Sequence, residues 1–150
     1  MRVVIQRVSE AKVIVDNLVV GEINHGLVVL QGIEHDDTNE DVEWLAQKIA
    51  SMRIFSDEEG KMNRDVREVN GNILLISQFT LHASTKKGNR PSFINAAKPE
   101  SAILLYEALG KRLTEYIGSR IQFGKFGAMM QVLLINDGPV TILMDSKNKE

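Results

Sequence analysis

The stretch QVLLINDGPVTILMD, residues 131 to 145, consists of two apolar runs around a polar interruption. QVLLI (131 to 135) and VTILMD (140 to 145) are rich in β-branched and aliphatic residues and read as strands. The interruption, NDGPVT (136 to 141), carries Asn136, Asp137 and Gly138, residue types that favour turns. The pattern predicts a hairpin, which commits this end of the chain to antiparallel pairing. Pro139 is harder to place. At the mouth of a returning strand it removes a ladder hydrogen bond and fixes φ, whereas Asn-Gly or Asp-Gly alone suffices for a two-residue turn. Something other than turning must account for it.

Working outward, Pro99 opens a segment in which Ala102, Leu105, Leu109 and Leu113 share one helical face, and Gly118 suits its C-terminal end. Before it, NILLISQFTL (72 to 81) reads as a strong strand and HASTKKGNRPSFINAAK (82 to 98) as a polar loop. Thr38 can cap a second helix, with Glu40, Asp41 and Glu43 at its start and Val42, Leu45, Ile49 and Met52 on one face. LVVLQGI (27 to 33) is continuously apolar, as a strand buried on both faces requires. At the N-terminus, RVVIQRV and KVIV read as strand, and Asp16-Asn17 turns the chain into LVVGEI. These elements predict an α/β fold: a curved, largely antiparallel, barrel-like β-sheet with two packing helices. With no repeat or linker, residues 1–150 read as a single domain, and SKNKE (146 to 150) as a frayed, flexible tail.

Composition narrows the chemistry. A formal net charge of -2 argues against a generally basic nucleic-acid coat, though not against a local patch. The absence of cysteine excludes disulfides, thiol catalysis and thiolate metal sites. The opening MRVVIQRVSEAKVIV has no apolar h-region after its first charge, and Arg7, Glu10 and Lys12 interrupt its hydrophobic runs, so neither an export signal nor a membrane span is expected, and the cytoplasm is the expected location. The acidic residues near Thr38 read as a solvated helix start, and His35, Asp36 and Asp37 lack a metal-ligand spacing, so no metal is expected.

A second irregularity lies in SQFTL (77 to 81). If the strand alternation persists, Gln78, Thr80 and His82 point one way and Ser77, Phe79 and Leu81 the other, leaving one face as a row of hydrogen-bonding groups. One reading makes Thr80 a nucleophile activated by His82. Against it, same-face neighbours on a strand lie roughly 6.5 to 7 Å apart, and no Asp follows to orient the imidazole.

SQFTL together with NDGPVT, in a chain of this length beginning MRVVIQRV, closely resembles the D-aminoacyl-tRNA deacylases, editing hydrolases that remove D-amino acids from tRNA. The resemblance runs over essentially the whole chain and implies that family's fold. It also implies a role for Pro139. The Gly138-Pro139 peptide would be cis and would project from one subunit of a homodimer into the pocket of the other, where its two carbonyl oxygens grip the substrate's α-amine. A cis bond turns successive carbonyls to one side, and glycine beside a cyclic residue presents them without a side chain. With ammonium and ester fixed, a D side chain leaves toward solvent and an L side chain strikes the wall, which is selection by clash. Glycyl-tRNA, with nothing to exclude, would be cleaved as well.

By the same resemblance, the backbone N–H groups of Phe79 and Thr80 form the oxyanion hole, with Ser77 and Gln78 shaping the pocket and contacting the terminal adenosine. The substrate's 2'-hydroxyl would assist, and no cofactor is implied. Met130 would lie near the adenine, and Arg7 would brace the Gly-Pro loop. Lys86, Lys87 and Arg90 in TKKGNRP would supply charge for tRNA phosphates with little sequence discrimination. The implied partners are tRNA carrying a D-amino acid or glycine and a second copy of the chain, with no DNA and no membrane. Two competing functions remain at this stage: a non-enzymatic RNA-binding or adaptor module on the same sheet face, and a protein-only Thr/His esterase.

Overall fold

The computed structural model describes residues 1–149. Strand β1, Arg2–Val15, places Val3, Ile5, Val8, Ala11, Val13 and Val15 in the interior. Asp16 and Asn17 adopt φ of 49° and 65°, the left-handed pair that a tight hairpin turn needs, and β2 (Leu18–Ile23) returns antiparallel. Strand β3, Gly26–Gly32, continues along β1 and pairs Val8 to Arg2 with Gly26 to Gly32.

Helix α1, Asn39–Ser51, begins with a reciprocal cap. The Thr38 hydroxyl accepts from the Glu40 N–H, and the Asp41 carboxylate accepts from the Thr38 N–H at 2.8 Å. Val42, Leu45 and Ile49 are buried, as their spacing predicts, and the face widens to include Ala46 and Ala50. A small ribbon follows, β4 (Phe55–Ser56) against β5 (Met62–Arg64). Strand β6, Asn72–Ser77, joins β3 in parallel, and β7 (Ile121–Phe123) joins β6 in parallel after helix α2, Pro99–Ile117. Gly118, at φ 66°, ends α2.

Strand β8, Gln131–Asp145, runs antiparallel along β1 from Ile14 to Arg2. The predicted hairpin at NDGPVT is therefore corrected: the chain does not reverse there. Thr141 pairs with Gln6 and Asn136 with Val8, so five steps of β8 span two steps of β1, and the surplus is extruded as a bulge. Both halves then find partners on the same neighbouring strand, so the polar interruption costs only a local break in the ladder.

The sheet curls into a nearly closed, barrel-like surface, antiparallel around β1 and parallel across β3, β6 and β7. One face packs under both helices through Val3, Ile5, Leu27, Val29, Ile73 and Leu75 against Leu45, Ile49, Leu109 and Leu113. Each such fully buried aliphatic side chain contributes about 1.5–3 kcal/mol. A second cluster, with Val8, Val13, Ile23, Val28, Leu74 and Ile76, fills the inside of the curl. The end expected to fray is held over its described part: Ser146 is buried, and Lys147 donates to the Asp36 carbonyl and to Asp41. Glu150 lies outside the described residues. Among the described residues no helix is long and apolar enough to cross a membrane.

Candidate active site

The extruded bulge is a built object. The Gly138-Pro139 peptide is cis. Arg7, on β1 beside the break in the ladder, donates from Nε to the Asp137 carbonyl at 2.8 Å and from Nη1 to the Ile54 carbonyl at 2.6 Å, so one side chain ties the bulge to the connection between α1 and β4. Its Nε also lies 3.5 Å from the Asp137 carboxylate. A side chain at Gly138 has no room: a Cβ built there falls 2.8 Å from Val140 Cγ2 and closer still to the Val140 nitrogen. Gly138 and Pro139 themselves are exposed.

The second motif departs from the predicted strand. β6 ends at Ser77, and Phe79–His82 form a 3₁₀ turn. The expected polar row of Gln78, Thr80 and His82 on one face does not form. His82 is buried at 3% exposure with Nδ1 3.7 Å from Glu34 Oε2, while Phe79 and Thr80 are exposed. The Thr80 hydroxyl accepts from Gln78 Nε2 at 2.5 Å. An arrangement of Thr80 aligned by His82 on a common strand face is thus absent.

The turn offers backbone instead. Gln78 N–H is spent on the Gln31 carbonyl at 2.7 Å, and Leu81 N–H on the Gln78 carbonyl. The N–H groups of Phe79 and Thr80, which open the turn, make no hydrogen bond within the described residues, leaving two adjacent donors for an incoming oxygen. The Phe79 ring stands 56% exposed, edge-on to Phe93 at 5.1 Å between centroids.

Three features that escape sequence reasoning hold this turn. Gly32 forms its floor, since a Cβ there would lie 2.8 Å from Leu81 Cβ and 3.0 Å from the Gln78 oxygen. Arg2 donates to the Leu81 carbonyl at 3.2 Å and to Asp145 at 2.8 Å, joining the turn to the end of β8. Burial opposes the Asp145 charge, but the bonds from Arg2 and the Lys147 N–H outweigh it and keep that carboxyl below its ordinary pKa. The only sequence signal was a glycine closing an apolar strand.

Met130 is half-buried against the second core cluster, with Sδ beside Gly124, whose neighbour in turn is Ile76 at the end of β6. Met130 therefore lies near Ile76, one residue before Ser77. Lys86, Lys87 and Arg90 are exposed on a loop closed by paired backbone bonds between Ser84 and Ser92 of 2.8 and 2.9 Å. No group of three metal-ligating side chains converges among the described residues.

The two motifs do not meet within one chain. Ser77 stands opposite Gln31, and Gln31 opposite Val3, whereas the bulge lies at the level of Arg7 on the far side of β1. Four residues along and three strand spacings across amount to roughly 20 Å over the sheet.

Comparison with known proteins adds independent findings. The family model described as D-Tyr-tRNA(Tyr) deacylase matches residues 4–145. A D-aminoacyl-tRNA deacylase from Akkermansia muciniphila is 61% identical over 150 residues, and one from Flavobacterium johnsoniae 59%, each covering 100% of both chains. A solved structure titled c-Myc DNA Unwinding Element Binding Protein superimposes with a TM-score of 0.92 at 41% identity, covering 97% of this chain and 98% of its own. Another, titled as a probable eukaryotic D-amino acid tRNA deacylase, gives 0.83 at 18% identity, covering 95% and 97%, and bears on the fold alone.

Proposed function

The chain belongs to the D-Tyr-tRNA(Tyr) deacylase family and hydrolyses the ester bond of D-aminoacyl-tRNA, and from that premise we propose how it tells D from L. The bulge of one subunit enters the pocket of a second copy and grips the substrate's ammonium with the Gly138 and Pro139 carbonyl oxygens. The observation that carries this reading is the bulge itself: residues pushed out of β8 where its ladder to β1 breaks, anchored by Arg7, and lacking any side chain at Gly138. The distance between the two motifs within one chain supports action in trans. So do the exposed apolar side chains that a second copy would cover, Leu143 at 67% and Ile94 at 77%.

The chemistry asked of the protein is modest, because an aminoacyl ester is already activated. The ester carbonyl oxygen accepts from the Phe79 and Thr80 N–H groups, and water adds to the carbonyl carbon with help from the substrate's own 2'-hydroxyl. The bond to the ribose oxygen then breaks, releasing D-amino acid and tRNA. Gln78 and Ser77 shape the pocket, Met130 borders the adenine, and Lys86, Lys87 and Arg90 meet tRNA phosphates. Neither metal nor cofactor enters this scheme. Glycyl-tRNA is a second substrate, since the exclusion acts only on a side chain. The enzyme acts on tRNA rather than DNA, in the cytoplasm where charged tRNA is found.

The test is release of amino acid from D-tyrosyl-tRNA and L-tyrosyl-tRNA by the purified protein beside its Gly138→Ala variant. Selective release from the D form, reduced or blurred in the variant, is the expected result. Equal rates on both forms, or a variant as selective as the parent, would remove the clamp from the mechanism.

A further inference from the structure

We infer that Asn136 is a positioning residue of the bulge: its side-chain amide replaces the strand partner that Val140 loses and so sets the aim of Gly138 and Pro139. This inference rests on the clamp reading above. Between Thr141 opposite Gln6 and Asn136 opposite Val8, the ladder to β1 is interrupted, and Val140 falls inside the gap. Val140 is 7% exposed, so its backbone groups have little access to water.

Asn136 satisfies both of them. Its Oδ1 accepts from the Val140 N–H at 2.8 Å, and its Nδ2 donates to the Val140 carbonyl at 3.1 Å. A planar group presenting an acceptor and a donor side by side is what a neighbouring strand would have offered, and among short side chains only Asn carries both. The same Nδ2 lies 3.4 Å from the Thr141 hydroxyl, which also accepts from Gln6 Nε2 at 3.2 Å. The neck of the bulge is therefore stitched from residue 136 across to 140, while Arg7 holds residue 137 from the other side. Gly138 packs directly on Val140, so any drift of Val140 moves the two carbonyls.

Asn136→Ala removes both bonds. Asn136→Asp keeps the shape and the acceptor but has no donor for the Val140 carbonyl. Both are compared with wild type and Gly138→Ala for kcat and KM on D-tyrosyl-tRNA and L-tyrosyl-tRNA, for binding of uncharged tRNA, and for thermal midpoint. The expected result is a D-over-L ratio lowered by about tenfold or more in Asn136→Ala, equivalent to about 1.4 kcal/mol of discrimination. Asn136→Asp falls between it and wild type, and binding of uncharged tRNA does not change. A merely structural role would lower the thermal midpoint without moving the ratio. If Asn136→Ala fails to fold, the Asp variant decides. The inference is overturned if the folded variants keep the wild-type ratio while Gly138→Ala loses it. If Gly138→Ala also keeps it, the clamp reading fails and this inference falls with it.

Discussion

Thr80 and Gly138 carry opposite lessons about single residues. Thr80 has the hydroxyl that chemistry books lead one to expect of a nucleophile, yet that oxygen is occupied by Gln78 and has no aligned imidazole. What Thr80 offers is its backbone N–H. Thr80→Val is therefore expected to lower kcat on D-tyrosyl-tRNA by less than about tenfold, because backbone donors survive the change. A loss comparable with removal of a triad member, about 10⁴-fold, would restore the Thr/His esterase. Gly138 matters through what it lacks. A methyl group there must displace Val140 or the bulge, and a misplacement of about 1 Å is expected to cost about 10²-fold in kcat/KM. Arg7→Lys should also fail to substitute, since one ammonium cannot reach two carbonyls through the planar fork that arginine presents. Single-turnover rates on D-tyrosyl-tRNA check all three. At this scale the sequence was legible where a residue type is rare in its setting, as Pro139 is. Arg2 and Asn136 were not, because ordinary polar residues acquire their roles only from partners distant in the chain or across a bulge.

Elements were legible where period and caps agreed. The Asp16-Asn17 turn, the Thr38 cap and the start and stop of α2 follow from local chemistry that the chain carries with it. Two elements were misread for a common reason: NILLISQFTL and NDGPVT each end or break a strand by tertiary contact, and alternation alone registers no such event. β6 stops at Ser77 because the turn folds over Gly32, where a side chain would collide with Leu81. Gly32→Ala should leave the fold intact and displace the turn, lowering kcat more than binding of uncharged tRNA. The α1 cap makes a separate prediction. Burial alone would raise the Asp41 pKa, but hydrogen bonds from Ser146, the Thr38 N–H and Lys147 outweigh it and hold the carboxyl well below its usual range. A carboxyl depressed in the folded state contributes stability that is fully present above its unfolded pKa, about 3.9, and is lost as pH falls through the folded value. Urea midpoints should therefore drop below about pH 4. Asp41→Asn should lower the midpoint at neutral pH and flatten part of that drop, leaving what Asp65 and Asp145, also depressed, contribute.

At the scale of the molecule, the separation of bulge and turn bears on whether one copy or two make up an active unit. If each site takes its bulge from one copy and its turn from another, two defective proteins can repair each other. Gly138→Ala subunits retain a sound turn, and Gly32→Ala subunits retain a sound bulge. Remixing them in equal amounts should give mixed dimers with one intact site each, about a quarter of the wild-type sites. A site completed within one chain would yield no recovery in the same deacylation assay. The overall α/β architecture was legible from patterning because each element needs one buried face, and the chain marks those faces plainly. The pairing of β1 with β8 along nearly their whole lengths was not, since contacts between the two ends of a chain leave no local periodicity. That pairing has a final consequence. Because β8 finds partners on β1 on both sides of the break, residues 137 to 139 sit between two stretches of strand that are paired without them. The sheet would fold around a different insert, so this short segment is the part of the protein most open to exchange, by evolution or by grafting, when a different substrate is to be recognised.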